Sequence, residues 1–257
     1  MAKSGRRKKG HGPAPKRSAA TEPKNGAKQT EKPNQLVEWA KALAGAFVLY
    51  LFIRTFILQT FVITSGSMEE TLLVGDFLVV NRLALGARIP GTQTLLPGYS
   101  EPRRGDVVVF DPHHEPDLKL VKRLIGLAGD TLEMREALLY LNGEPQVEPY
   151  VRHEYPEGDH EDPLMVWQSD HLLGTVDRAG YRPTRDNWGP LVVPDDHYFM
   201  LGDNRDSSLD SRYWGPLAQW RIEGRAVLIY FSYDGESVKP FPWVRDIRGS
   251  RIFDLIR

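Results

Sequence analysis

The sequence of 257 residues contains no cysteine, and its seven histidines are scattered. The absence of cysteine excludes disulfide bonds, thiol nucleophiles and zinc sites with thiolate ligands. None of the histidines lies in a recognisable catalytic-triad pattern, and no G-x-S-x-G nucleophile elbow occurs. His197 lies in a predicted strand and is retained as an alternative base; a serine nucleophile in this chain would otherwise need a base other than histidine.

Charges of opposite sign are separated along the chain. Residues 1–35 contain ten lysines and arginines but only two acids, whereas the remaining residues contain 23 basic and 32 acidic side chains. Residues 1–35 also have almost no large apolar side chain, which predicts a disordered basic tail. The acidic remainder argues against a nucleic-acid-binding body, so no nucleic acid is expected as a partner.

Long apolar runs are confined to one region that follows the tail. Residues 42–53 carry no charge, Arg54 interrupts, and residues 55–63 continue as an apolar segment. With Lys41 and Arg54 reaching opposite interfaces, this pattern predicts one transmembrane helix within residues 36–62 and the lipid bilayer as a partner. The tail then stays in the cytoplasm, and residues 63–257 lie outside it. A buried or interfacial helix is the alternative; a cleaved signal peptide fits less well, because the charged leader is too long.

The region after residue 63 is rich in short β-type runs separated by turns. Strands are predicted at residues 77–80, 107–110, 117–125, 131–134, 138–141, 191–201 and 221–233. Residues 144–190 are acidic, contain prolines and are irregular, which indicates an inserted, loop-rich subdomain. The sequence thus predicts a mainly β protein, in which an antiparallel sheet domain with this insertion follows one N-terminal transmembrane helix.

Ser67 is the candidate nucleophile, because residues 64–68 (TSGSM) place hydroxyl groups between the apolar segment and the first β run. Serine and glycine are also ordinary turn residues, and a serine hydroxyl reacts only when a base removes its proton. Lys122 is the candidate base, since period-two alternation puts it on a face with leucines, where burial would lower its pKa. The alternative is an edge-strand lysine that extends into solvent.

The loop at residues 202–212 (GDNRDSSLDSR) is the third unusual stretch. Three aspartates suggest calcium, but the glycine and glutamate of a calcium loop are missing at the required positions, so no metal site is predicted. The loop is either a solvated turn held by side-chain hydrogen bonds or a brace that positions a catalytic lysine and serine.

Together, these stretches resemble the type I signal peptidase family of membrane-anchored serine endopeptidases, which use a Ser/Lys dyad on a β-rich fold. The match covers residues 65–68 with 71–73, 75–76, 104–110, 121–123 with 129–130, and 202–206 through 210–215.

The resemblance implies a role for each matched side chain, and it implies no metal or organic cofactor. Ser67 would be the nucleophile and Lys122 the general base, while Ser65 and the Ser67 N–H would form the oxyanion hole. Ser208 would orient Lys122. Asp210 and Arg212 would pair and brace the loop at residues 202–212. Asp203 and Arg123 match family positions that have a structural role.

The implied function is removal of signal peptides from secretory preproteins after a small-x-small site, at a bacterial inner or plasma membrane with a single span. Thr64, Glu70 and Ala128 depart from the family pattern, which usually has proline there. A specialised or self-cleaving Ser/Lys protease and a non-catalytic peptide-binding envelope protein are the alternative functions.

Overall fold

The computed structural model describes residue 10 and residues 34–114, 118–174 and 178–257. Most of the predicted disordered tail, residues 1–9 and 11–33, therefore lies outside the described residues. The chain divides into two compact units, residues 1–44 and 45–257. In the first unit the described residues form the beginning of a long helix, and the second unit holds all the strands.

The helices are few and mostly short. They are α1 (Gln35–Phe56), α2 (Arg82–Leu85), α3 (Ser211–Trp214) and α4 (Pro242–Arg245), with 3₁₀ turns at Gly66–Met68, Pro163–His171, Gln219–Arg221 and Gly249–Arg251.

Within the described residues, eleven strands supply the rest of the regular structure. They are β1 (Leu58–Val62), β2 (Asp76–Asn81), β3 (Val107–Phe110), β4 (Leu120–Gly126), β5 (Thr131–Arg135), β6 (Leu138–Leu141), β7 (Glu144–Pro145), β8 (Trp188–Val192), β9 (His197–Leu201), β10 (Leu217–Ala218) and β11 (Ile222–Ser232).

Two antiparallel sheets form the second unit. The larger sheet has the strand order β1-β2-β11-β3-β4-β9-β10, and the smaller has the order β7-β6-β5-β8. Every strand pair in both sheets is antiparallel. The prediction of a mainly β, antiparallel fold is confirmed.

The predicted helix at residues 36–62 is wrong at its C-terminal end. α1 ends at Phe56, and residues 58–62 form β1, which pairs with β2 from Leu58↔Asn81 to Val62↔Phe77. An apolar run of this length and composition fits either a helix or a buried strand, and the pairing partner β2 decides between them. No residue of α1 is buried, which does not fit the alternative of a buried core helix.

The segment at residues 144–190 is largely irregular, as predicted, but it is built into the smaller sheet. It begins in β7 and ends in β8, and Met165 in its 3₁₀ turn packs with Trp188 and Leu191 in one hydrophobic cluster. The segment is therefore fixed by packing against the core between its 3₁₀ turn and the neighbouring strands, which lets it hold side chains against the loop at residues 202–212.

Candidate active site

Ser67 lies in the 3₁₀ turn Gly66–Met68, which follows β1 after a connection of three residues, 63–65. Met68 is buried in a hydrophobic cluster with Ile63 and Leu72. Burying a methionine side chain contributes about 2 kcal/mol to folding stability, so the burial of Met68 fixes the turn against the hydrophobic core. The Ser67 hydroxyl is held at a fixed point, and only 8% of the residue is exposed.

Lys122 lies in the middle of β4, which runs between β3 and β9 in the larger sheet. Its cross-strand partner is Val108, and the residue is only 2% exposed. The alternative of an edge-strand lysine extending into solvent is therefore wrong. The leucine face is only partly as predicted, because Leu124 is buried whereas Leu118 lies before the strand and is exposed.

The side chains of Ser67 and Lys122 meet, although they are 55 residues apart in sequence. Lys122 Nζ lies 2.5 Å from Ser67 Oγ. Burial lowers the pKa of Lys122 from its ordinary value of 10.5 to about 8; Asp210 and Asp203 oppose this effect, and Arg212 adds to it. A lysine with this pKa is a base near neutral pH, placed within reach of the serine proton.

Ser65 is close to the same hydroxyl. Ser65 Oγ lies 3.5 Å from Ser67 Oγ, at the exposed start of the turn. The predicted role of Ser65 in an oxyanion hole stays a prediction.

The loop at residues 202–212 is buried rather than solvated. Asp210 and Arg212 are each 0% exposed and form two hydrogen bonds of 2.8 Å. Asp210 also accepts a hydrogen bond from the Gly202 N–H at 3.0 Å. Burial raises the pKa of Asp210, but the charge and hydrogen bonds of Arg212 outweigh this and lower the pKa overall. The solvated-turn interpretation is therefore wrong.

A second buried ion pair joins this loop to the strand of the candidate base. Arg123, next to Lys122, donates two hydrogen bonds to Asp203, at 2.8 and 2.6 Å. Thr71 donates a further bond of 2.5 Å to Asp203. Bidentate pairs of this kind fix geometry as well as charge, so β4, the segment after Ser67 and the loop are held as one piece.

Ser208 differs from the expectation in one respect. Its hydroxyl is buried and forms no hydrogen bond of ordinary geometry with Lys122 or another described residue. It does lie beside Gly202 and close enough to Asp210 to help lower the pKa of that carboxyl group. Its predicted role in orienting Lys122 stays a prediction.

The insertion supplies contacts that the sequence analysis did not identify. Arg152 pairs with Glu69 at 2.7 Å, and its backbone bonds to Asp203 and Arg205 on either side of Asn204. Asn204 in turn donates its N–H to the Ser67 carbonyl at 3.2 Å. The insertion therefore reinforces the loop that lies against the Ser67 turn. The sequence carries no signal for the contact between Arg152 and Glu69, because the two charges are 83 residues apart.

Two other predictions about the surroundings of the dyad are resolved by the structure. His197 begins β9, and its Nδ1 lies 2.7 Å from the Asp195 carbonyl with no hydrogen bond to Ser67, so it is not placed as the base. Glu70 has a φ of 90°, which a proline ring does not allow. The turn after Met68 thus has a shape that the usual proline could not adopt.

Replacing Gly202 by alanine is expected to lower kcat by about 100-fold, the effect of misplacing reacting groups by roughly 1 Å. A Cβ at this position would lie 2.5 Å from both Ser208 Cβ and the Ser67 carbonyl oxygen. Peptide-bond hydrolysis and circular dichroism are measured together. The matched control is Gly249→Ala, where a Cβ meets nothing within 4 Å. Equal activity in both variants would contradict the placement of this loop.

Comparison with known proteins identifies the family of this chain. The family described as "Signal peptidase, peptidase S26" matches residues 36–231. Signal peptidase I of Pseudomonas aeruginosa is 36% identical over 228 residues, which cover 80% of this chain and 76% of the relative. Signal peptidase I of Bacillus licheniformis is 35% identical over 208 residues, covering 80% of this chain and 95% of the relative.

A solved structure of a signal peptidase I from Enterococcus faecalis V583 is 32% identical and covers 49% of this chain and 97% of that chain, with a TM-score of 0.34. The sequence match spans both the turn that carries Ser67 and the strand that carries Lys122. This chain therefore belongs to the signal peptidase family of serine endopeptidases, peptidase S26.

Proposed function

We propose that this chain is a membrane-anchored signal peptidase that removes N-terminal signal peptides from exported preproteins after a small-x-small site. Ser67 acts as the nucleophile and Lys122 as its general base. The observation that carries the proposal is the 2.5 Å contact between Lys122 Nζ and Ser67 Oγ in a buried site.

In the first half of the reaction, Ser67 Oγ attacks the carbonyl carbon of the scissile bond while Lys122 takes the serine proton. The negative charge that develops on the carbonyl oxygen is stabilised by the Ser67 N–H and the Ser65 hydroxyl. Lys122 then gives its proton to the leaving amine, and the signal peptide remains attached to Ser67 as an ester.

In the second half, neutral Lys122 takes a proton from water while the water oxygen attacks the ester carbonyl carbon. The bond from that carbon to Ser67 Oγ then breaks, and Lys122 returns the proton to Ser67 Oγ, which regenerates the dyad and releases the signal peptide as a carboxylate. Ser208 orients the Lys122 ammonium group, while the pairs Asp210–Arg212 and Asp203–Arg123 keep the dyad in register. These five residues act by positioning, since none of them contacts Ser67 Oγ through a hydrogen bond among the described residues.

The substrate binds in an extended conformation along the edge of the larger sheet. β1 is the terminal strand of that sheet and leads directly into the turn that carries Ser67. An exposed strand edge supplies backbone hydrogen bonds to an added peptide, and alternate side chains then fill pockets. Small residues at the first and third positions before the cut fit this geometry.

α1 anchors the protein in a bacterial inner or plasma membrane as a single span. It has 22 residues, and its apolar side chains are exposed. About 20 residues of helix cross a bilayer. By the positive-inside rule the basic tail, residues 1–35, lies in the cytoplasm, and the catalytic domain lies on the other side. Enzyme and signal peptide then share one membrane surface, which raises their effective concentration.

The pH dependence of kcat/KM is expected to follow the free amine of Lys122. Because the neutral form is the base, kcat/KM should rise about tenfold per pH unit at low pH and level off above an apparent pKa of about 8. The rate is measured between pH 6 and pH 10 with a peptide substrate free of titrating groups. An apparent pKa near that of histidine, about 6.5, would point to another base.

The test of the proposed function is cleavage of a preprotein with an Ala-x-Ala site by the full-length protein in detergent, with N-terminal sequencing of the product. A single cut after the second alanine is expected, and replacing either alanine by leucine should abolish it. Cleavage of the protein's own chain alone would instead support a specialised or self-cleaving protease. Binding without cleavage would support a peptide-binding protein.

A further inference from the structure

A cavity of about 450 Å³ opens beside the last turn of α1 and is distinct from the Ser67 site. One wall is the helix itself, through Leu51, Arg54 and Thr55. The other wall carries the basic side chains of Arg82 in α2, Arg88 in the following segment and Lys119, which immediately precedes β4. The cavity thus lies where the apolar helix passes into the sheet.

The charges around this cavity do not balance. Arg88 and Lys119 both pair with Asp111 and Glu223, and Arg82 also pairs with Glu223.

Arg54 adds a fourth positive charge. It contacts the Tyr50 hydroxyl at 3.2 Å and no carboxylate within the described part of the chain. Among the residues that the structure describes here, four basic groups therefore meet two carboxylates, a surplus of two positive charges.

Two of the four cations are accessible to a ligand. Arg54 is exposed, and the Lys119 side chain is 35% exposed, whereas Arg82 is buried in its contacts with Glu223 and Gln59. Arg54 has no carboxylate partner among the described residues, and Lys119 shares its two carboxylates with Arg88. A phosphate group accepts hydrogen bonds from arginine and lysine well. The accessible side of the cavity is thus built to take an anion.

We propose that this cavity binds the phosphate of an anionic phospholipid headgroup. This inference rests on the membrane anchoring in the proposed function, because a spanning α1 places Arg54 and the cavity at the depth of the headgroups. Leu51 and the exposed Phe52 then contact the acyl chains.

The experiment measures lipid binding by native mass spectrometry of the full-length protein in detergent, with Ser67→Ala as the background. Dihexanoyl phosphatidylglycerol, dihexanoyl phosphatidylcholine and inorganic phosphate are the three probes. Phosphatidylglycerol is expected to bind about tenfold more tightly than phosphatidylcholine. Arg54→Gln should weaken phosphatidylglycerol binding by about fivefold, the value of one surface cation, without changing phosphatidylcholine binding.

Lys119→Gln should give a similar loss, and the exposed Arg54 keeps the test valid if Lys119→Gln fails to fold. The matched control is Arg135→Gln, which removes an exposed charge from β5. Equal binding of both lipids, or an equal loss in Arg135→Gln, would overturn the proposal. Inorganic phosphate that binds as tightly as phosphatidylglycerol would overturn a lipid as the source. Since binding is read in a protein without its nucleophile, failure of the proposed function would appear in the cleavage assay and not here.

Discussion

Replacing Lys122 by methionine is expected to lower kcat by about 10,000-fold, the upper range for a general base. Methionine fills nearly the same space as lysine but takes no proton, so Ser67 loses the only base within 2.5 Å of its hydroxyl among the described residues. Turnover of an Ala-x-Ala preprotein is measured with equal amounts of folded wild type and variant.

The same change is expected to leave stability unchanged or to raise it. The pKa of Lys122 falls from 10.5 to about 8 on folding, so charged lysine is disfavoured in the folded state. Above the unfolded pKa of 10.5, Lys122 is neutral in both states and its ionisation costs no folding free energy. As the pH falls from 10.5 towards 8, the unfolded chain takes up a proton that the folded chain does not, so the free energy of unfolding falls. Below pH 8 the full loss is present. A shift of this size costs about 3 kcal/mol at pH 7.

Methionine removes that cost, so Lys122→Met is expected to lose activity without losing stability. Thermal unfolding at pH 7 measures the stability of the variant. Loss of activity together with loss of the fold would leave the lysine as a structural residue and contradict its role as a base.

Replacing Asp210 by alanine is expected to destabilise the protein by about 3 to 5 kcal/mol, because Arg212 then stays buried without a counter-ion. Asp210 also caps α3 by accepting from the Arg212 N–H and holds the Gly202 N–H. Urea unfolding followed by tryptophan fluorescence measures the change in the free energy of unfolding.

Two further variants separate the cause of this loss. Glu133→Ala breaks the exposed pair with Arg135 and should cost less than about 1 kcal/mol. The double variant Asp210→Leu with Arg212→Met removes both buried charges and should recover much of the stability. A loss below about 1 kcal/mol in Asp210→Ala would contradict the buried-pair account.

The strands and the dyad could be predicted because their signals are local. A Gly-Asp turn precedes a short apolar run at both β2 and β3, and the ends of both strands lie within one residue of the predicted positions. Ser67 and Lys122 stand out because a hydroxyl between two apolar runs and a lysine among leucines are both unusual. The distance between them could be inferred only from the family resemblance.

The remaining features depend on partners far away in sequence. Residues 58–62 (LQTFV) fit either a helix or a strand until β2 is placed beside them, so the sequence alone predicts that the helix continues there. Arg152 contacts Glu69 across 83 residues, which no local pattern reveals. The burial of Asp210 and Arg212 could not be predicted for the same reason. A polar loop is expected to be solvated unless distant parts of the chain cover it.

The most direct measurement is to trap the ester on the nucleophile. The wild type and the variants Ser67→Ala and Lys122→Met are mixed with an Ala-x-Ala peptide, quenched in acid within milliseconds, digested with pepsin and mapped by mass spectrometry. The account predicts the acyl group on Ser67 in the wild type and on no residue in either variant. An acyl group on Ser65 or Ser208, or full turnover by Ser67→Ala, would contradict it.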